Sequence, residues 1–407
     1  MQWYVITEIG IGPQTDALFA GMVFPQVVLA VVSNSLTHVL VPLLVTEDEC
    51  SFHRDAWGFF IGVTALFGMI AIVLALSASY WVAWFFPGFS NEGRELTVVL
   101  AKIQLISMVF TASVSVLWSV YHARRKFIWV ESSAVMSNLI TLLFLVWALP
   151  LFGIEAAAWG TVLRTGLLVA WLSPGLGQMQ RPDWNSPAIA AAWGRLKPLL
   201  LGTVYYKTDP LIDRFLSSLA PAGGLSLLYL GQQIYGAGNQ IIDKSIAAPL
   251  VPVLALQAKM SEKNLFQRTY RKRLLYVAGL TGILYVAFIF TGNVFLELLI
   301  GHGGVTEQNV MQLWTLMLCL GGVFIGGAMG QITSLSFYAK GDTRTPTRLG
   351  IWTYTIYVPA KVLAFALYGL NGLAISTSIF NVLNVVLQLS ILDDWNLLGK
   401  RAVYENK

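Results

Sequence analysis

Long apolar segments recur along the whole chain, and most of the charged residues lie between them. A helix needs about 20 apolar residues to cross a bilayer. We predict eleven such helices, over residues 17–45, 57–86, 98–121, 129–151, 156–174, 194–218, 224–257, 272–300, 310–338, 347–368 and 372–392. Charged residues make up 12% of the chain, about half of their share in ordinary soluble domains. The sequence therefore predicts an all-α polytopic membrane protein.

Two local features modify this plan. Residues 1–14 are apolar, but they are too few to cross a bilayer and they include Glu8. We expect a shortened first helix there, which would bring the total to twelve. Three prolines, at positions 25, 210 and 249, lie inside predicted spans, and we expect each of them to kink its helix.

Basic residues are divided unequally between alternate connections. The set at 46–56, 122–128, 175–197, 258–273, 339–348 and the tail holds 19 Lys and Arg residues. The opposite set, at 87–97, 152–155, 219–223, 301–309 and 369–371, holds only Arg94. Cytoplasmic loops carry the excess of Lys and Arg, so the first set is predicted to be cytoplasmic. This predicts a multi-pass protein of the bacterial inner membrane.

The chain also repeats itself. The stretch at 119–163 resembles that at 336–379 at an offset of about 216 residues, and 39–44 resembles 249–254 at an offset of 210. A shift of six helices preserves orientation, which predicts parallel repeats about an axis along the membrane normal. We predict an N-terminal lobe at 1–174, a cytoplasmic linker at 175–197, a C-terminal lobe at 198–392 and a tail at 393–407. Two similar lobes imply a central cavity, as in transporters.

Soluble-enzyme chemistry finds little support. Cys50 and Cys319 have no CxxC neighbour, and the four histidines are scattered, so neither a metal site nor a disulfide framework is predicted. No Walker loop, HExxH motif or Ser/His/Asp set is present, and no basic run suits nucleic acid. We therefore predict no enzymatic activity, no cofactor and no nucleic-acid partner. A coupling ion or the membrane potential remains open as the driving force.

Basic residues inside the predicted spans are the strongest functional candidates, because each costs roughly 2.5–3.5 kcal/mol at mid-bilayer. Arg164, Lys207, Lys244 and Lys361 lie deep in their spans. Lys102 and Arg214 lie nearer the outer ends, where long side chains are able to reach the interface. Pairing with neighbouring carboxylates is the structural alternative, through Asp209, Asp213 and Asp243.

The span over 224–257 adds neutral candidates. Gly236 and Gly238 permit close approach or local unwinding, and Asn239 has the chemistry to bond sugar hydroxyls or to join helices. A positive cavity lined by these residues would attract a pyrophosphate, with Lys244 and Arg164 as the leading pair from the two lobes.

Three stretches resemble one family. "GIGPQTDALFAGMVFP" (10–25), "IDRFLSSLAPAGGLSLLYLGQQI" (212–234) and "FYAKGDTRTPTRLG" (337–350) look like the MurJ/MviN-type lipid II flippases of the multidrug/oligosaccharidyl-lipid/polysaccharide exporter superfamily. The resemblance implies two six-helix lobes around a cationic cavity, alternating access and an undecaprenyl-pyrophosphate-linked sugar as substrate. It also marks Asp16 as a retained acidic residue of the family.

The chain departs from the family where cavity charges are usual. "VVLAVV" (27–32) stands in place of paired arginines, and Leu230, Gly231 and Gln232 stand in place of Ala-Asp-Arg. These departures favour a divergent member that serves another lipid-linked glycan.

The leading hypothesis is thus a monomeric flippase for a lipid-linked anionic sugar, working among membrane lipids. The candidate substrate-binding residues are Arg164, Lys207, Arg214, Asp213, Asp243, Lys244, Lys361, Asp16 and Asn239. A cation-coupled small-molecule antiporter of the same superfamily and a non-transporting membrane scaffold are the alternatives.

Overall fold

The computed structural model describes residues 2–45, 49–184, 186–187, 189–192, 194, 205–260, 262–342 and 344–393. Throughout these residues the regular structure is helical, and no strand occurs among them. The α-helices are α1 (Gln2–Ile9), α2 (Pro13–Gly21), α3 (Val23–Val45), α4 (Glu49–Leu76), α5 (Ala78–Phe85), α6 (Asn91–Ala123), α7 (Phe127–Phe152), α8 (Ile154–Leu172), α9 (Asp209–Ser218), α10 (Gly224–Ile242), α11 (Ala248–Lys259), α12 (Lys263–Ile300), α13 (Glu307–Cys319), α14 (Gly321–Ala339) and α15 (Arg344–Asp393).

Six described segments are long and apolar enough to span a membrane, and α13 with α14, bent by 43° at their junction, would make a seventh. One of the six is Arg344–Leu392, which covers two predicted spans joined at Gly369. The predicted span 57–86 is divided between α4 and α5 at Ser77. The predicted fold class is confirmed, whereas the total of eleven or twelve spans stays a prediction. Residues 195–204, in the predicted span 194–218, lie outside the described residues.

The chain divides into two compact units. The first comprises Met1–Ser226 with Gly303–Val305, and the second comprises Leu227–His302 with Thr306–Lys407. Helix α9 belongs to the first unit because it packs against α3. The unit boundary therefore lies further along the chain than the predicted linker at 175–197. The predicted lobes and the axis relating them stay predictions, and residues 394–407 of the predicted tail lie outside the described part.

The internal repeat is visible in the backbone at an offset of 216 residues. Gly153, between α7 and α8, has φ 58° and ψ −144°, and Gly369, inside α15, has φ 60° and ψ −141°. These values lie in a region that is accessible almost exclusively to glycine. The two connections therefore turn in the same way, which explains why a glycine is needed at both positions.

The same offset relates both ends of α6 to the corresponding helix pair of the second unit. Ser90 and Thr306 are N-cap residues whose hydroxyl oxygens accept the backbone N–H three residues later, at 3.1 and 3.3 Å. At the other end, Arg125 (φ 56°) corresponds to Gly341 (φ 77°). Each follows a helix closed by a six-residue hydrogen bond, Lys126 N–H to the Tyr121 carbonyl and Asp342 N–H to the Phe337 carbonyl. Cap, turn and glycine thus repeat in register, without insertion between them.

Proline has a different effect from the predicted kinks. Pro25 lies near the start of α3 and Pro210 near the start of α9, where a missing N–H costs nothing. Before Pro249 the helix widens into a π-turn, Asp243–Ala247, in which the Ala248 N–H donates to the Asp243 carbonyl. A π-turn relieves the clash between a proline ring and the preceding turn. The predicted unwinding at Gly236–Gly238 is wrong, because α10 is regular there and Gly238 closely approaches Phe324.

The described part of the linker is fastened to α4. The Ser186 hydroxyl donates to Asp55 Oδ2 at 2.8 Å, and the Trp57 indole N–H donates to the Gln178 carbonyl at 3.0 Å. Behind these contacts lies an apolar core of the first unit, formed by α3, α4, α6 and α8 and including Val114, Leu168 and Leu172. The first unit is therefore solidly packed between α6 and α8.

Candidate functional site

Asp16 is the best-coordinated candidate side chain. It lies in the first turn of α2 and is 4% exposed. Its Oδ2 accepts the Gly223 N–H at 2.6 Å, and its Oδ1 accepts the N–H and the hydroxyl of Ser226 at 2.7 and 2.6 Å. These N–H groups belong to the start of α10, where a helix has unsatisfied donors and a partial positive charge. Asp16 therefore caps a helix more than two hundred residues away in sequence.

Neighbouring loops are held to the same region of the first unit. The Gly304 N–H donates to the Thr7 carbonyl at 2.7 Å. Gly88 lies so close to the Ser218 carbonyl that a Cβ at position 88 would overlap it. The connections at 87–97, 219–223 and 301–309, all predicted to lie outside, thus make contacts at this one end of the first unit.

Arg214 and Asp213 lie on α9 and are 3% and 4% exposed. The expectation that Arg214 reaches the interface is wrong, because its guanidinium is buried and acts electrostatically on Asp16. Lys102, by contrast, is exposed on α6. The structure therefore brings Asp16 and Arg214, two of the predicted site residues, into one charged group.

Lys361 is fully buried within the second unit. Its ammonium lies 4.8 Å from the centroid of the Tyr357 ring, one helical turn earlier. Tyr357 is fixed in turn by a 2.9 Å hydrogen bond between its hydroxyl and that of Thr377, and it stacks on Phe380. Lys361 thus serves as an internal cation–π contact in this conformation. Its predicted role in substrate binding stays a prediction.

The π-turn carries two more candidates. Lys244 is exposed and Asp243 is partly buried, both within Asp243–Ala247. Asn239, one turn earlier, donates from its Nδ2 to the Val323 carbonyl at 3.3 Å. Its Oδ1 is buried and has no hydrogen-bond partner among the described residues. π-Turns inside α-helices are common at functional sites, and this one places an exposed cation in an otherwise apolar segment.

Arg164 and Lys207 are partly buried in the first unit, on α8 and in a short 3₁₀ turn, Tyr206–Thr208. Lys244 belongs to the second unit, so the predicted pairing of Arg164 and Lys244 stays a prediction. Asp209 and Asp213 lie one turn apart in α9, as expected, and only Asp213 is fully buried.

Lys340 is a feature that the sequence did not single out. It ends α14, and its ammonium lies 4.8 Å from the Phe266 ring centroid. Burial lowers the pKa of Lys340 to about 8; the nearby charge of Lys263 also lowers it, whereas Asp342 opposes the shift. In the sequence Lys340 is one of many loop cations, and no local signal places it on an aromatic ring.

A second unexpected feature is a polar cavity in the second unit. It has a volume of about 220 Å³ and lies between α14 and the last part of α15. Carboxamides and glycines line it, and these residue types gave no sequence signal by themselves.

The family model described as "Lipid II flippase MurJ" matches residues 6–403 of the chain. The chain belongs to the MurJ family. Curated MurJ relatives include the probable lipid II flippase MurJ of Bdellovibrio bacteriovorus, 23% identical over 83% of this chain and 65% of the relative. The corresponding protein of Vibrio cholerae serotype O1 is also 23% identical, over 91% of this chain and 72% of the relative. The chain thus spans about two thirds to three quarters of the length of these relatives.

The fold agrees with solved structures. A lipid II flippase MurJ in an inward closed conformation superposes with a TM-score of 0.83 at 17% identity, over 96% of this chain and 84% of that chain. An inward-facing multidrug resistance MATE family transporter of the MOP superfamily superposes with a TM-score of 0.78 at 15% identity, over 99% and 94%. These likenesses confirm the fold. As a MurJ family member with several apolar spans, the chain is a multi-pass protein of the bacterial inner membrane.

Proposed function

We propose that this chain moves an undecaprenyl-pyrophosphate-linked sugar precursor, lipid II or a related lipid-linked oligosaccharide, from the cytoplasmic to the outer leaflet. Alternating access is the proposed mechanism. The observation that carries the proposal is the match of the lipid II flippase family model to residues 6–403, which is nearly the whole chain.

The charges within the helices support an anionic head group. Lys244 is exposed on a π-turn, and Arg164 is partly buried on α8. In a low-dielectric setting such cations act strongly on a pyrophosphate and are weakly screened. Arginine is able to grip phosphate oxygens through two parallel bonds, whereas lysine acts as a point charge. The lipid tail would remain in the bilayer while the head group passes.

Transport of this kind forms and breaks no covalent bond, so the proposal assigns no catalytic residue and no cofactor. The driving force is proposed to be a coupling ion or the membrane potential, worth about 2.3 kcal/mol per charge for each 100 mV. We propose that one copy of the chain is sufficient.

A cation-coupled small-molecule antiporter is the second candidate, and the likeness to a multidrug resistance MATE transporter favours it. An antiporter of this type would need carboxylates open to its cargo. Asp16 and Asp213 are both buried, and Asp16 is occupied with the start of α10. This arrangement supports the lipid-linked cargo over the antiporter.

The test replaces the two cations that are most available to a head group. Lys244→Ala and Arg164→Ala should abolish export of the lipid-linked sugar without lowering the amount of protein in the membrane. Lys244→Arg should retain part of the activity, because charge is what the pyrophosphate requires. Lys102→Ala, which removes an exposed cation from α6, is the matched control and should transport normally. Normal transport by both alanine variants would favour the scaffold or the antiporter.

A further inference from the structure

The polar cavity of the second unit is the basis of this inference. Its lining includes three glycines of α14 and three carboxamides of α15: Gly326, Gly327, Gly330, Asn381, Asn384 and Gln388. The volume is about 220 Å³, enough for about seven water molecules at their share of liquid volume.

The internal repeat shows that this cavity is not a necessary consequence of the fold. At the offset of 216 residues, the three glycines correspond to Phe110, Thr111 and Val114 of the first unit. The three carboxamides correspond to Thr165, Leu168 and Leu172. In the first unit Val114, Leu168 and Leu172 are buried in one apolar core. The same place between the same two helices is therefore filled in one unit and hollow in the other.

The glycines create the space in two ways. A Cβ at position 326 would come within 3.0 Å of the Asn381 backbone, so Gly326 permits close approach of the helices. At Gly330 the nearest atom to such a Cβ is a methyl group of Val385, 3.7 Å away, so there a side chain would extend into the cavity.

The hydrogen bonds around the cavity fix some of the polar groups and leave others available. Gln388 Oε1 accepts from the hydroxyls of Thr333 and Ser334 at 2.6 and 3.2 Å. Gln388 Nε2 donates to Asn384 Oδ1 at 3.2 Å, and Asn381 Nδ2 donates to the Thr377 carbonyl at 2.8 Å. Among the described residues, Asn384 Nδ2 and Asn381 Oδ1 have no protein partner. One donor group and one acceptor are thus oriented by their own side chains yet unused.

The chemistry of the lining selects the class of ligand. The lining side chains include carboxamides and a serine hydroxyl but no charged group, so the cavity offers no counter-charge to a phosphate or a carboxylate. Paired neutral donors and acceptors match hydroxyl and acetamido groups, which likewise present both. Polar surface is costly inside a membrane protein unless a polar partner satisfies it. A sugar ring fits these requirements.

We propose that this carboxamide cavity is a binding subsite for a neutral sugar ring of the transported lipid, with Asn384 donating to it and Asn381 accepting from it. This rests on the proposed function and adds a division of labour. Cations hold the pyrophosphate, and the second unit recognises the sugar. The cavity makes transport depend on the presence of that sugar.

The repeat supplies the variants. Gly330→Val and Asn384→Leu introduce the residues that already pack at the equivalent positions of the first unit, Val114 and Leu168. They should fill the cavity without unfolding the helix pair. Gly279→Val, on α12 with nothing near its added Cβ, is the matched control for a glycine-to-valine change in a helix.

The measurement compares two lipids in proteoliposomes: undecaprenyl pyrophosphate bearing an N-acetylated disaccharide, and undecaprenyl pyrophosphate alone. Wild type and the control should move the sugar-bearing lipid much faster than the bare one. Gly330→Val and Asn384→Leu should lose about tenfold in the rate for the sugar-bearing lipid, the equivalent of one or two hydrogen bonds. Their rates for the bare lipid should stay within about twofold of wild type.

The outcomes are distinguishable. If wild type moves neither lipid, the proposed function fails. If wild type moves the sugar-bearing lipid and the filled variants do so equally well, the subsite is overturned while the function stands. Equal slowing of both lipids, or a change confined to the dependence on Na⁺, would likewise contradict a sugar subsite.

Discussion

Removing the carboxylate of Asp16 should destabilise the protein, because no other described group accepts from the start of α10 in its place. Asp16→Ala leaves the N–H groups of Gly223 and Ser226 buried without their acceptor. Each such loss costs about 1–3 kcal/mol, so we expect about 4 kcal/mol for the pair. Asp16→Asn keeps an accepting oxygen but loses the charge and opposes one N–H with another, which should cost about 2 kcal/mol.

The partner residue gives an independent estimate. Ser226→Ala removes the hydroxyl bond to Asp16 but leaves both backbone bonds, and should cost about 1–2 kcal/mol. In the double variant with Asp16→Ala, the serine change should cost almost nothing further, since the hydroxyl has already lost its acceptor. Glu95→Ala, an exposed carboxylate on α6, is the control and should leave stability unchanged.

Reversible unfolding in mixed micelles, followed by circular dichroism, measures these differences as free energies of unfolding. The expected order of destabilisation is Asp16→Ala, then Asp16→Asn and Ser226→Ala, then Glu95→Ala. Equal stability of Asp16→Ala and Glu95→Ala would refute the capping role. Full additivity of the Asp16 and Ser226 changes would refute their direct coupling.

Three further predictions concern topology, the repeat and a perturbed amine. In a background without the native cysteines, cysteines replacing Lys126 and Glu307 should react from opposite sides of the membrane with an impermeant thiol reagent, and equal labelling would contradict the charge-based topology. Gly153→Ala and Gly369→Ala should each cost about 1–3 kcal/mol, since both have the same left-handed backbone and no steric clash, so a large difference between them would contradict their equivalence. Because burial lowers the pKa of Lys340 to about 8, its acylation rate should rise with pH to a midpoint near 8, well below the usual value of about 10.4, and a midpoint near 10 would contradict its burial on Phe266.

The sequence predicted the helical class and the repeat because both rest on local patterns. Apolar runs mark helices, and Gly153 and Gly369 lie within the repeated stretches that the comparison at 216 residues identified. The π-turn was not predicted in place, since a proline requires a local adjustment whose position depends on the preceding backbone. Its effect appeared at Asp243–Ala247 rather than at Gly236.

The site was less accessible to sequence reasoning. The bonds from Asp16 to Gly223 and Ser226 join residues 207 and 210 positions apart, and no periodic pattern encodes such a contact. The burial of Arg214 depends on the same long-range packing. The cavity did leave a signal: aligning the two repeats sets Gly330 against Val114 and Asn384 against Leu168. Polar and glycine residues at positions that are apolar in the other repeat mark a specialised place.

Direct measurement of lipid translocation tests the central claim. Purified protein is reconstituted into vesicles that hold a fluorescent lipid II in both leaflets, and an impermeant quencher is added outside. The account predicts that the protein makes the inner-leaflet lipid II accessible to the quencher, that a labelled phosphatidylglycerol stays protected, and that Lys244→Ala abolishes the effect. Protection of lipid II equal to that in empty vesicles, or equal exposure of both lipids, would contradict it.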